Sequence, residues 1–77
     1  MQTEYKTKDL AEAAALIVEG QSLLFLKREG RTCWFVFSNF SSSKQISDKF
    51  FFGDLLVNAR KYKEAIDLLK SRIFARE

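Results

Sequence analysis

Two apolar runs, SLLFLKR and TCWFVFS, flank Glu29-Gly30. Their branched and aromatic content, bounded by a turn signal, predicts two strands of a hairpin. A two-residue turn at Glu29-Gly30 would set Arg28 opposite Arg31, Leu26 opposite Cys33, Leu24 opposite Phe35, Phe25 opposite Trp34 and Leu23 opposite Val36. Side chains alternate along a strand, so one face would hold Leu24, Leu26, Cys33, Phe35 and Phe37. The other would hold Leu23, Phe25, Trp34 and Val36 and turn polar at Lys27 and Thr32. The first face is the better core candidate. A one-residue slip of register would exchange the faces of one strand relative to the other.

Around this hairpin the apolar period changes from two to that of a helix. Glu4 to Thr7 reads as an edge strand or an extended arm. Asp9 followed by Glu12 forms a capping-box-like start, after which Leu10, Ala13, Ala14, Ile17 and Val18 share one stripe and Gly20 supplies a left-handed stop. Ser42, with Gln45 three residues on, predicts the cap of a short second helix that carries Ile46 and Phe50 and stops at Gly53. Phe50, Phe51 and Phe52 cannot all point one way on it. DLLV reads as extended. Asn58 then caps a third helix, with Val57 and Tyr62 placed as a hydrophobic staple and Tyr62, Ala65, Ile66, Leu69 and Ile73 as its stripe. On the far side of that helix, Arg60 to Glu64 and Lys63 to Asp67 stand at salt-bridge spacing.

The expected architecture is a single α+β domain over residues 1 to 77, ordered β-α-β-β-α-α, with the first and third helices on one face of an antiparallel hairpin sheet. So short a chain buries only about 60% of the surface its unfolded form exposes. A core of this size contributes about 3 to 5 kcal/mol and is commonly reinforced by disulfides, a metal or a partner. Cys33 is the single cysteine and there is no His, so an internal disulfide and a zinc site are both unexpected. With 47% apolar and 30% charged residues, no signal-peptide pattern and no apolar run of membrane-spanning length, the cytoplasm is the expected location and no membrane partner is expected.

The formal charge of +3 is unevenly placed. Bases and acids balance through residue 57. The excess lies in the last segment, where Arg60, Lys61, Lys63, Lys70, Arg72 and Arg76 outnumber Glu64, Asp67 and Glu77.

The run KDLAEAAALIVEG, then LLFLKREGRTCWFVF, then VNARKYKEAIDLLKSRI resembles a small bacterial and phage-associated family catalogued as a domain of unknown function. The likeness lies in Lys8-Asp9-Leu10 before an alanine-rich helix, the Phe35-Val36-Phe37 strand, Ala59-Arg60 at the start of the last helix and Leu69-Lys70-Ser71-Arg72 near its end. Asn58 stands where that pattern would have an acid, and it still serves as a cap. The resemblance implies one domain and brings no activity, cofactor or catalytic residue with it.

Catalysis is not expected. No His is present to titrate near neutral pH, and Cys33, mid-strand beside Trp34 and Phe35, reads as a small buried hydrophobe. Asp48 and Asp54 read as helix-end acids, and Gly20, Gly30 and Gly53 stand apart, forming no phosphate loop. No cofactor or metal is expected. The chain reads as a small interaction module that self-associates as a homodimer, or meets a protein partner, through Leu23, Phe25, Trp34 and Val36. Nucleic acid is the second reading. It would use the hairpin-tip bases Lys27, Arg28 and Arg31 and the helix bases Arg60, Lys63 and Lys70, with Trp34 and Phe25 as a stacking platform.

Overall fold

Gly30 turns the hairpin. Its φ of +59° lies in the left-handed region that favours glycine, and with Arg31 it forms the two-residue turn that joins Glu29 to Thr32. The turn is therefore Gly30-Arg31 and not Glu29-Gly30. From Phe25 to the turn each strand residue meets a partner two positions from the expected one: Leu26 faces Phe35, Lys27 faces Trp34 and Arg28 faces Cys33. A shift of two preserves the faces and changes the neighbours.

In the computed structural model, which describes residues 3–75, the elements are β1 (Glu4–Thr7), α1 (Leu10–Val18), β2 (Leu23–Glu29), β3 (Thr32–Ser38), α2 (Phe40–Phe51) and α3 (Ala59–Ala75). Arg76 and Glu77 lie outside the described residues. The order β-α-β-β-α-α is the expected one, and Glu4 to Thr7 is a full strand. The sheet is antiparallel in the order β1-β3-β2, so TCWFVFS is its central strand. Near its start β2 carries a bulge. Phe25 pairs with Val36 but Leu23 pairs with Phe37, which leaves Leu24 as the extra residue, half exposed. Leu23 thereby crosses to the face of Phe35 and Phe37, and Leu24 leaves it, reversing the expected places of both.

All three helices cover that face. Ala13, Ala14 and Leu16 of α1 and Ala65 and Leu69 of α3 form one buried cluster with Phe35 and Phe37. The alanines of α1 leave room for the two phenylalanines, which fill much of the space in this cluster. Helix α1 touches both of its neighbours. Helix α2 packs beside it over β1, and α3 lies on its other side, tied by the Tyr62 hydroxyl donating to Ala11 O at 3.1 Å. Burial, and then the charge of Asp9, raise the Tyr62 phenol above its ordinary value. Arg28 at the end of β2 donates from its guanidinium to Ile73 O at 2.9 Å, pinning the far end of α3.

The helix ends follow local chemistry, with two departures. Asp9 accepts from Glu12 N at 3.0 Å, and Gly20 and Gln21 close α1 by donating to Ile17 O and Leu16 O, the Schellman arrangement. Glu12 does not reach back to complete a capping box. Its carboxyl turns inward, is almost wholly buried, and accepts from the hydroxyls of Thr7 and Tyr5 at 2.5 Å each. The phenolic oxygen of Tyr5 also shares a 2.9 Å hydrogen bond with Ser47 Oγ on α2. One polar cluster thus joins β1, α1 and α2.

Helix α2 starts two residues before the expected cap. Asn39, not Ser42, is the N-cap, at φ +58°, and its side chain accepts from Ser42 N at 3.1 Å. Asn tolerates the left-handed region that lets the chain leave β3 and turn at once into a helix. Ser43, in the first turn, is buried and bonded to Gln21 and to Ser38 O. Phe51 and Phe52 turn outward, and Phe50 is half-buried. Asn58 caps α3 as expected, accepting from Lys61 N at 3.0 Å.

Two adjacent leucines of α3 check this packing. Leu69 is fully buried and Leu68 is 48% exposed. Leu69→Ala is expected to cost about 2 to 5 kcal/mol, comparable with the whole stability of so small a domain, whereas Leu68→Ala is expected to stay within about 1 kcal/mol. Urea denaturation followed by circular dichroism measures both, and equal losses would contradict the packing.

A second check concerns alkali. The Tyr5 phenol is pushed up from 10.0 to about 12, by burial first and then by its hydrogen bond to Glu12 and the negative charge nearby. The fold favours the protonated phenol, so its contribution is complete below pH 10 and fades as pH rises through about 12. Wild type is expected to lose stability over that range faster than Tyr5→Phe does. Parallel alkaline slopes for the two proteins would refute this.

Candidate binding face

Because α1, α2 and α3 all lie on one side, the other side of the sheet carries no helix among the described residues. Alternation from the observed register places Glu4 and Lys6 of β1, Phe25, Lys27 and Glu29 of β2, and Thr32, Trp34, Val36 and Ser38 of β3 on this open face.

At its centre Val36 pairs with Lys6 on one side and Phe25 on the other. It is fully buried although it stands apart from the helix-side cluster, because longer neighbours reach over a short side chain. Phe25 is 48% exposed and Trp34 is half-buried. Lys27 sits directly across from Trp34 on β2. Lys8, just beyond β1, places its ammonium over the Trp34 ring, 5.9 Å from the centroid and within reach of the ring's negative face. Lys6, Lys27, Glu29 and Trp34 line a shallow hollow of about 180 Å³. Lys27 also pairs with Glu29 at 3.3 Å, both ends half in solvent, which makes the pair a weak one.

Four residues expected to form an apolar interface are therefore divided. Leu23 belongs to the core side, Val36 is already covered, and Phe25 and Trp34 remain available. The six expected basic contacts are divided as well. Lys27 lies beside Trp34, Arg28 is engaged with Ile73 O, and Arg31 occupies the exposed turn. Arg60, Lys63 and Lys70 are exposed on α3, which packs on the opposite side of the sheet from Trp34. Lys63 is bonded to Asp67 at 2.8 Å, a contact that raises its pKa. The platform and the basic helix thus form two surfaces.

Sequence reasoning missed Lys6 and Lys8. Their alternation with Tyr5 and Thr7 was a signal, since Tyr5 and Thr7 face the helices and put the lysines on the reverse. Recognising that pair required knowing that β1 lies beside β3.

Among the described residues no three His, Cys, Asp or Glu side chains gather as a metal site, and no helix is long and apolar enough to cross a membrane. A second hollow, of about 280 Å³ between α1 and α3, is lined by Ile17, Val18, Ala65 and Leu68 with one base and one acid, Lys61 and Glu64, and so favours neither sign of charge. The fold defines a small α+β domain in two layers. Compared with family models, curated proteins and solved structures, the chain matches none.

Trp34 is the single tryptophan, so its emission reports on this face alone. Acrylamide is expected to quench it in the folded protein. Trp34→Ala is expected to keep the far-ultraviolet circular dichroism and cost under about 2 kcal/mol, against about 3 to 5 kcal/mol for Phe35→Ala in the core. Native emission that resists quenching would mean that the face is covered.

Proposed function

We propose that this chain is a non-catalytic binding module of the cytoplasm, and that its open sheet face receives a negatively charged partner. The observation that carries the reading is the flanking of a half-buried Trp34 by Lys8 and Lys27 on the side of the sheet that no described helix covers. Lys6 adds a third base at the same hollow. Together they outnumber Glu4 and Glu29 on that face, so the local field favours an anion. Cys33 is only partly buried, not the buried hydrophobe expected, and a partly exposed free thiol suits a reducing compartment.

Self-association through this face is the competing reading. Its support has shrunk to Phe25 and Trp34, and a symmetric pairing would bring one copy's lysines against the other's. The anionic reading therefore takes precedence over the homodimer.

A heparin column with a salt gradient tests the proposal. Wild type is expected to be retained at low salt and released as salt rises. Lys6→Glu, Lys8→Glu and Lys27→Glu together are expected to abolish retention, while Lys63→Glu with Lys70→Glu on α3 lowers it only slightly. The reverse pattern would move the function to the helix. Sedimentation is expected to find a monomer; a dimer that Trp34→Glu disperses would restore the self-association reading.

A further inference from the structure

We infer that the partner of the open face is a single strand of nucleic acid, with a base stacked on Trp34 and the neighbouring phosphates held by Lys8 and Lys27. This rests on the reading that the face binds an anion, and it names the anion.

A purely electrostatic site needs no aromatic residue. Here the most accessible apolar surface of the face is aromatic, and it is interleaved with bases. Trp34 lies on the central strand, and Phe25 lies on β2 diagonal to it, a spacing of about 7 to 8 Å in an antiparallel pair. Every base has a flat face that can stack on such rings whatever its identity. Lys27 lies on one side of Trp34 and Lys8 on the other, so a strand crossing the ring meets a cation before and after the stacked base. Charge and shape thus ask for the same ligand.

The face already holds a cation where a base would stack. The Lys8 ammonium lies over the Trp34 ring, where the ring's negative face attracts it. A base entering there displaces that ammonium, which then meets a phosphate. Glu29 opposes the process, because it shares the hollow and holds Lys27 in a 3.3 Å pair. Neutralising Glu29 frees Lys27 and removes a like charge from the path of the strand.

A single strand is favoured over a duplex because a duplex hides the faces of its bases. The face is also the surface of a sheet, with no described helix or ribbon projecting from it to enter a groove.

The test uses fluorescence anisotropy with a labelled oligothymidylate of about ten nucleotides, within the span a small sheet platform covers. An abasic strand of the same length, a duplex and polyglutamate serve as comparison probes. The oligothymidylate is expected to bind more tightly than the other three and to quench Trp34 emission. Trp34→Ala is expected to weaken binding by about 5- to 150-fold, the range for losing one stacked base, with Trp34→Phe recovering part of it. Glu29→Gln is expected to tighten binding several-fold, a gain that a folding defect cannot produce. Equal binding of the abasic strand, unmoved by Trp34→Ala, would overturn the stacking inference and leave the anionic face standing. Tighter binding of the duplex or of polyglutamate would also overturn it. Failure of every anionic probe would remove both this inference and the reading beneath it.

Discussion

The structure depends on the buried cluster that α1 and α3 form with the two phenylalanines of the central strand. Phe35 and Phe37 project from the middle of a three-stranded sheet, and Ala13 and Ala14 meet them with almost no side chain of their own. Larger residues there would lift the helix and open voids that so small a core could not absorb. Once α1 is seated, α2 and α3 can flank it on the same face, and no described helix covers the sheet's reverse side. The open face is thus a consequence of how the core is closed.

Polar contacts hold this layer in register. Glu12 is buried without a base beside it among its bonded partners; its oxygens are met by the Tyr5 and Thr7 hydroxyls, and Tyr5 passes the network on to Ser47. A buried acid that is fully hydrogen-bonded adds little net stability, but the same group left unpaired is costly. It therefore penalises arrangements in which β1 or α2 docks elsewhere. The position of β1 matters on both sides of the sheet, because the strand that sends Tyr5 and Thr7 toward the helices sends Lys6 toward Trp34.

On the open side, burial and charge redistribute what looked like one greasy patch. The bulge at Leu24 carries Leu23 into the core, and Val36 disappears beneath its neighbours. Two aromatic rings remain, set among lysines. That combination, and not a continuous apolar patch, is what the proposed reading of the face rests on. The bases of α3 face away from it, so the segment with the greatest excess of charge is not where charge and aromatic surface meet.

Much of the fold was legible in the chain itself, because its causes are local. Asp9 and Asn58 as caps, Gly20 and Gly53 as stops, the stripe from Tyr62 to Ile73, and the alternation of Phe35 and Phe37 with Trp34 and Val36 each follow from a few neighbouring residues. Others were misread because local signals competed. Glu29-Gly30 and Gly30-Arg31 are both plausible turns by composition, and only the need for a positive φ at the first central residue selects the second. Ser42 is a good cap, but Asn39 sits where β3 ends and can take the left-handed turn. The sequence by itself determined the elements and most of their apolar faces. Tertiary structure alone decided that Glu12 is buried, that α2 joins the other helices, and that Lys6 and Lys8 stand around Trp34. Those outcomes depend on strands and helices far apart in the chain meeting in one register, which no local pattern encodes.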